Sequence, residues 1–146
     1  MMDQIRLDWR HFWGSALLAL GMCGPAYAQA DPAALEAMES YLDFVDYQGG
    51  NISDAQIPED QWANYFVIDT RSADQFAQAH IPGAVNIEWR QILAKRDTIP
   101  KDRPVLVYCN TGTLSSQAGF ALRVAGWENV QILHDGFQGY QAKRGR

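Results

Sequence analysis

The sequence predicts an α/β fold: a small, mainly parallel sheet flanked by helices. Short apolar runs recur at 65–69 (YFVID), 84–87 (AVNI), 104–108 (PVLVY) and 130–133 (VQIL). Most of these residues are apolar without alternation, the habit of strands buried on both faces. Between the runs lie stretches with helical periodicity, and strands that alternate with helices imply βα units and parallel pairing.

Each element has its own signals. Asp31-Pro32 followed by AALEAMESYLDFV reads as a helix: Asp31 caps it, Pro32 takes the first turn, and Leu35, Met38, Leu42 and Val45 share a face. Gln48-Gly49-Gly50-Asn51 is a break. Residues 52–64 have no clear period, and Pro58 with its acidic neighbours suggests a short helical start. After the first apolar run, RSADQFAQAH (71–80) is a short helix carrying Phe76, and Ile81-Pro82-Gly83 turns the chain. EWRQILAKR (88–96) reads as a helix with Trp89, Ile92 and Leu93 on its apolar side, and Pro100 and Pro104 bracket a loop. SSQAGFALRVAG (115–126) is a helix with Phe120, Leu122 and Val124 among its apolar positions and Gly126 as its stop. GFQGYQAKR (136–144) is a short terminal helix. Trp62, Trp89 and Trp127 read as packing aromatics.

The first 28 residues differ from the rest. Arg6, Arg10 and His11 precede an apolar run from Phe12 to Met22, and Ala26-Tyr27-Ala28 ends the stretch in a small-x-small pattern. This is the pattern of a secretory signal cleaved after Ala28. The apolar run is well short of the roughly 20 residues that span a bilayer, so no stable membrane insertion is expected after cleavage. The predicted organisation is a cleaved signal peptide over 1–28, an N-terminal helix and linker over 29–51, and a single domain over 52–146. The expected location is the periplasm.

Composition narrows the function classes. A hydrophobic content of 47% with 20% charged residues is that of a globular chain. A net charge of -5 and the lack of a basic stripe argue against nucleic acid as a partner. The two short basic runs, Lys95-Arg96 and Lys143 to Arg146, read as solvated ends. Of the two cysteines, Cys23 and Cys109, cleavage removes Cys23. The mature chain then carries one thiol in an oxidising compartment, without an intramolecular partner.

Cys109 ends an apolar run and heads a polar loop, Asn110-Thr111-Gly112-Thr113-Leu114, before the helix predicted from Ser115. In open parallel sheets ligands bind beyond the carboxyl ends of the strands, where both Cys109 and Asp69 fall. A helix N-terminus with a curled loop points backbone N–H groups inward and lowers a thiol pKa. Gly112 permits the curl, and Thr111, Thr113 and Ser115 add hydroxyl groups. The expected site is a thiolate inside a ring of donors, suited to an anionic substrate. A buried, inert cysteine is the competing reading. Phosphoryl chemistry of the Cys-x5-Arg type is disfavoured, because Ser115 stands where that motif has its arginine. His11 and His134 form no metal-ligand spacing with Cys109, and neither a metal nor a cofactor is expected.

Five segments occur together in order: VIDTRSADQF, AHIPGAVNI, PVLVYCNTGTLSSQA, AGWENVQIL and DGFQGY. In that order and spacing they resemble the single-domain rhodaneses, a sulfurtransferase family, and with the signal sequence they are similar to its small periplasmic phage-shock members. The resemblance covers a little over half of the chain, from about Tyr65 to Tyr140. It implies a five-stranded, mainly parallel sheet flanked by helices, with Cys109 as a nucleophile that becomes a persulfide. It implies a small sulfur-containing anion such as thiosulfate, or a persulfide, as donor, and a thiol or cyanide as acceptor. Asn110, Thr111, Gly112, Thr113, Leu114 and Ser115 would bind substrate through amides and hydroxyls. Asp69 and Arg71 would be mainly structural, Arg71 being also the best candidate for positive charge near the pocket, and His80 would fix a turn. Two departures stand out: the loop has no basic residue, and Asp135-Gly136 replaces the family's common Gly-Gly. They leave a catalytically weak binding or sensor module as the alternative. A thiol redox factor is disfavoured by the lack of a resolving cysteine.

Overall fold

The computed structural model describes residues 31–144, so the predicted signal peptide and Cys23 lie outside the described residues. Five strands make one sheet: β1 (Asn51–Ile52), β2 (Phe66–Asp69), β3 (Val85–Asn86), β4 (Val105–Tyr108) and β5 (Val130–Leu133). Their order is β1-β5-β4-β2-β3, and every pairing is parallel. The helices are α1 (Pro32–Phe44), α2 (Ala73–Gln78), α3 (Thr113–Val124) and α4 (Gly136–Arg144). The expected α/β architecture is present. The fifth strand is Asn51–Ile52, in a stretch that carries no strand signal of its own.

Strand β4 is central and fully buried. Its alternate residues feed two cores, because successive side chains leave a strand on opposite faces. Val105 and Val107 pack with Ile68, Ala118, Leu122 and Trp127 under α3. Leu106 and Tyr108 pack with Val67, Ile81, Leu133 and Phe137 on the other face. Helix α3 lays the stripe Ser115, Ala118, Gly119 and Leu122 on the sheet, a helical i, i+3, i+4, i+7 spacing. Gly119 is small for a reason: a Cβ there would meet Ile132 Cγ1 at 2.6 Å.

Two expectations are corrected, and one open point is filled in. EWRQILAKR is not one helix but short 3-10 turns at Trp89–Gln91 and Arg96–Thr98. The segment is pinned at both ends, where Trp89 N–H donates to the Thr70 carbonyl and the Ile99 carbonyl accepts from Trp127 Nε1. Ile92 and Ile99 enter the core while Leu93 stays exposed. Helix α1 is capped by Asp31 as expected, and the face it turns to the domain, which the sequence leaves open, is that of Tyr41. Tyr41 makes the contact, edge-on to Phe120 with ring centroids 5.2 Å apart, and Leu35, Met38 and Leu42 face solvent. The basic tail is not simply solvated. Lys143 and Arg144 reach the buried Asp54 carboxylate at 3.0 and 2.9 Å and tie α4 to the start of the domain. Among the described residues no helix is long and apolar enough to cross a membrane.

The strand order places the site. From β2 the chain crosses through α2 to β3 on one side, and from β4 through α3 to β5 on the other. Neighbouring strands β2 and β4 therefore form the switch point of the sheet, the place beyond which ligands bind in open α/β sheets. Asp69 pairs in register with Tyr108, the residue before Cys109.

Candidate active site

Cys109 follows the last residue of β4 and is buried. The chain after it curls back within three residues. Gly112 makes this possible with a φ of 91°, in the left-handed region, and it serves as the N-cap of α3. The helix thus begins at Thr113, two residues earlier than the sequence predicts. A Cβ on Gly112 would meet the His134 carbonyl oxygen at 2.4 Å, so the position demands both the conformation and the absence of a side chain.

The curl brings donors onto one sulfur. Burial pushes the Cys109 thiol pKa up, but the backbone N–H groups of Ser115 and Thr111, the Ser115 hydroxyl and the Leu114 N–H outweigh it, and the thiol titrates below its ordinary value. Ser115 is fully buried, and its Oγ lies 3.7 Å from Cys109 Sγ and 3.0 Å from the Gly112 carbonyl oxygen. One hydroxyl proton serves these two acceptors. When the sulfur is charged, the proton is drawn to it, and Gly112 still accepts from Ser116 N and Oγ, both at 2.8 Å.

A second segment holds the loop from behind. Phe137 N–H donates to the Cys109 carbonyl at 2.7 Å, and Gln138 N–H donates to the Asn110 carbonyl at 3.1 Å. The free N–H groups at the start of α4 thereby fix the two peptide units that open the curl. Gly136 permits the approach, because a Cβ there would stand 2.5 Å from the Asn110 carbonyl. Sequence reasoning assigned no role to Gly136, Phe137 or Gln138. The available signal was positional: this segment follows strand β5, at the same end of the sheet as Cys109.

Arg71 and Asp69 form a buried pair, with Arg71 Nη2 2.6 Å from Asp69 Oδ2. Arg71 Nε also donates to Asp69, Nη2 to the Ala79 carbonyl at 2.7 Å, and Nη1 to Asn110 Oδ1 at 3.2 Å. Its guanidinium stacks 4.2 Å from the centre of the Phe137 ring. Burial disfavours the Arg71 charge, but the hydrogen-bonded Asp69 carboxylate outweighs that cost and holds the guanidinium firmly protonated. Arg71 thus carries its positive charge to the edge of the cysteine loop, at Asn110, but in a pair with Asp69, and Nε, Nη1 and Nη2 each donate to protein. Tyr108 belongs to the same scaffold. Its hydroxyl oxygen accepts from Ile81 N–H at 3.0 Å and anchors the His-Ile-Pro-Gly turn, and burial pushes its pKa up.

The predicted site residues therefore divide. The structure brings Thr111, Leu114 and Ser115 to Cys109, with Gly112 as the pivot. Asn110 is tied through its side chain to Arg71. Thr111 and Thr113 hydroxyls lie 3.4 Å from each other on the exposed rim. His80 stands apart, with Nδ1 2.9 Å from the Phe76 carbonyl and its ring stacked on Phe76. Among the described residues no cluster of histidine, cysteine and acidic groups could hold a metal ion. What the arrangement supports is nucleophilic chemistry by a buried thiolate stabilised by dipoles alone.

Comparison with known proteins bears on the fold and the family. The model of the Rhodanese-like domain family matches residues 51–143. Thiosulfate sulfurtransferase GlpE of Actinobacillus succinogenes is 30% identical over 89 residues, covering 58% of this chain and 80% of that protein. Thiosulfate sulfurtransferase PspE of Escherichia coli is 36% identical over 66 residues, covering 44% of this chain and 64% of that protein. For several curated relatives, PspE among them, the matched length is less than two thirds of the relative. A crystal structure of a rhodanese-related protein from Thermoplasma volcanium superposes with a TM-score of 0.59 at 22% identity, covering 64% of this chain and 91% of that one, and so shares the fold. Matched over well more than half its length, this chain belongs to the rhodanese-like domain family.

Proposed function

We propose that the protein is a sulfurtransferase in which Cys109 carries the sulfur. The observation that carries this reading is the convergence of Ser115, Thr111 and Leu114 N–H groups and the Ser115 hydroxyl on the Cys109 sulfur. Such a ring stabilises a thiolate and then the terminal sulfur of a persulfide. The relatives named as thiosulfate sulfurtransferases support the same chemistry.

In the first step the thiolate attacks the outer sulfur of thiosulfate. The sulfur–sulfur bond of the donor breaks, sulfite leaves with the bonding pair, and Cys109 becomes a persulfide anion. A persulfide donor reacts in the same way and releases a thiol. In the second step cyanide or a thiol attacks the outer sulfur, and the Cys109 thiolate departs. Both steps are covalent catalysis at one atom, and neither needs a general base once the thiolate exists. The pattern of residues 1–28 supports placing this activity in the periplasm, and N-terminal sequencing of the exported chain checks that placement.

The deciding experiment is intact mass spectrometry of the purified chain after exposure to thiosulfate or a hydropersulfide. The expected result is a gain of one sulfur, released by cyanide and lost in Cys109→Ala. No gain from either donor overturns the proposal. It would favour a rhodanese-like binding or sensor module, a reading that the engagement of Arg71 with Asp69 keeps in view.

A further inference from the structure

Accepting that sulfurtransferase reading, the rim of the pocket bears on which donor it takes. The catalytic loop from Cys109 to Ser115 contains no charged side chain other than the thiolate itself. The amides of Thr111, Leu114 and Ser115 already act on the sulfur, lowering the thiol pKa, and Arg71 donates to Asp69, Ala79 and Asn110. The segment packed on the loop does supply charge. The His134 carbonyl abuts Gly112, and Gly136 abuts Asn110 and Thr111. Asp135 lies between those two contacts. Its carboxylate is exposed, with Oδ1 2.8 Å from His134 Nδ1. Asp135 thus adds a negative charge to the segment packed on the loop, within the roughly 10 Å over which an exposed charge acts on an approaching dianion, while the Arg71 charge is paired with Asp69.

We propose that Asp135 is a specificity residue that biases the Cys109 site against the thiosulfate dianion and toward hydropersulfides of uncharged thiols. With such a donor, R–S–SH, the thiolate attacks the terminal sulfur. The new Cys109 S–S bond forms, the donor S–S bond breaks, and R–S⁻ leaves carrying the bonding pair and takes up the proton. The products are the Cys109 persulfide anion and R–SH, with one negative charge on each side of the reaction and no external oxidant or reductant. The half-buried Leu114 at the rim adds apolar surface that suits an organic R group better than a sulfonate. Asp135 also precedes α4, where an acidic residue stabilises the helix start. That role affects folding but does not discriminate between donors.

The experiment compares Asp135→Asn with the unaltered protein, reading the rate of sulfur gain at Cys109 by intact mass. The donors are thiosulfate, a dianion, and a small alkyl hydropersulfide, which carries at most one negative charge. Because the donors differ in intrinsic reactivity, the quantity read is the change in their rate ratio. Asp135→Asn is expected to raise thiosulfate loading about threefold to tenfold, the size of one partly screened charge acting on a dianion. Hydropersulfide loading should change far less, and the gain with thiosulfate should shrink as salt is added. An equal change for both donors, or no change for either, overturns the proposal. Loss of loading from both donors in the unaltered protein removes the sulfurtransferase reading itself, and this proposal with it.

Discussion

Neighbouring strands β2 and β4 end side by side, and their ends treat charge in opposite ways. After β2, a full positive and a full negative charge are buried together, and each is held by several hydrogen bonds. After β4, one sulfur is surrounded by neutral dipoles and no opposite charge. The first arrangement is closed: Asp69 and Arg71 pair with each other, and Arg71 also donates to Ala79 and Asn110. The second is open: amides and a hydroxyl stabilise negative charge on the sulfur without cancelling it. Paired charges here fix a turn, and backbone dipoles lower a thiol pKa.

The largest expected effect comes from breaking the closed end. Arg71→Met leaves Asp69 buried beside the Tyr108 ring without its cation, and removing one partner of a buried pair costs about 3–5 kcal/mol. A denaturant titration should show that loss. Protein that remains folded should still gain sulfur from a hydropersulfide, because the donors around Cys109 come from residues 111–115. If stability barely changes while the thiosulfate KM rises steeply, Arg71 is an anion clamp and the contrast between the two ends fails.

The open end is sharpened by Ser115→Ala. The lowered thiol pKa means that the thiolate persists as pH falls through the ordinary thiol range, and that loading declines only at lower pH, where the sulfur is protonated. Removing the hydroxyl takes away one of the donors that lower the pKa. The acid limb of the pH–rate profile should therefore move to higher pH, and a shift of about one unit is about tenfold in rate on that limb. Above the ordinary thiol range both proteins are thiolates and their rates should converge. Gly112 keeps its bonds from Ser116, so no buried acceptor is orphaned. A uniform loss at every pH would mean that Ser115 supports packing rather than the charge on sulfur.

The same contrast explains what the sequence made legible. Strands β2, β4 and β5 are apolar runs, and their burial follows from that. Strand β1 is two residues long; Asn51 and Ile52 become strand only by pairing with Ile132 and Leu133, a property of the partner rather than of the segment. Cys109 could be read as poised because the strand end, the polar loop and Gly112 are local features. The engagement of Arg71 could not be read, because Asn110 and the Ala79 carbonyl arrive from other parts of the chain. The support from Phe137 and Gln138 was hidden for a related reason: it uses backbone N–H groups, which every sequence has. At α1 the apolar period was correctly read as helical, but which face docks depended on Phe120 and Arg123 of α3.

That docking yields the smallest predicted effect, and it separates fold from site most cleanly. Tyr41 packs edge-on against Phe120, with the Arg123 guanidinium 5.7 Å from its ring centre. An aromatic pair of this kind contributes about 0.5–1.5 kcal/mol beyond the area it buries. No residue of α1 is fully buried, so little else ties the helix to the domain. Phe120 lies on α3, the helix that begins at the cysteine loop, which makes α3 a short route by which α1 could influence Cys109. Four residues separate Ser115 from Phe120, and Ser115, Ala118, Gly119 and Leu122 hold the opposite side of α3 rigidly on the sheet. Tyr41→Ala should therefore lower the thermal midpoint by a few degrees, as a loss of about 1 kcal/mol does in a domain of this size. The rate and pH dependence of sulfur gain at Cys109 should stay where they are. A shift in that pH profile would mean that the donors at the start of α3 depend on how its far side is packed.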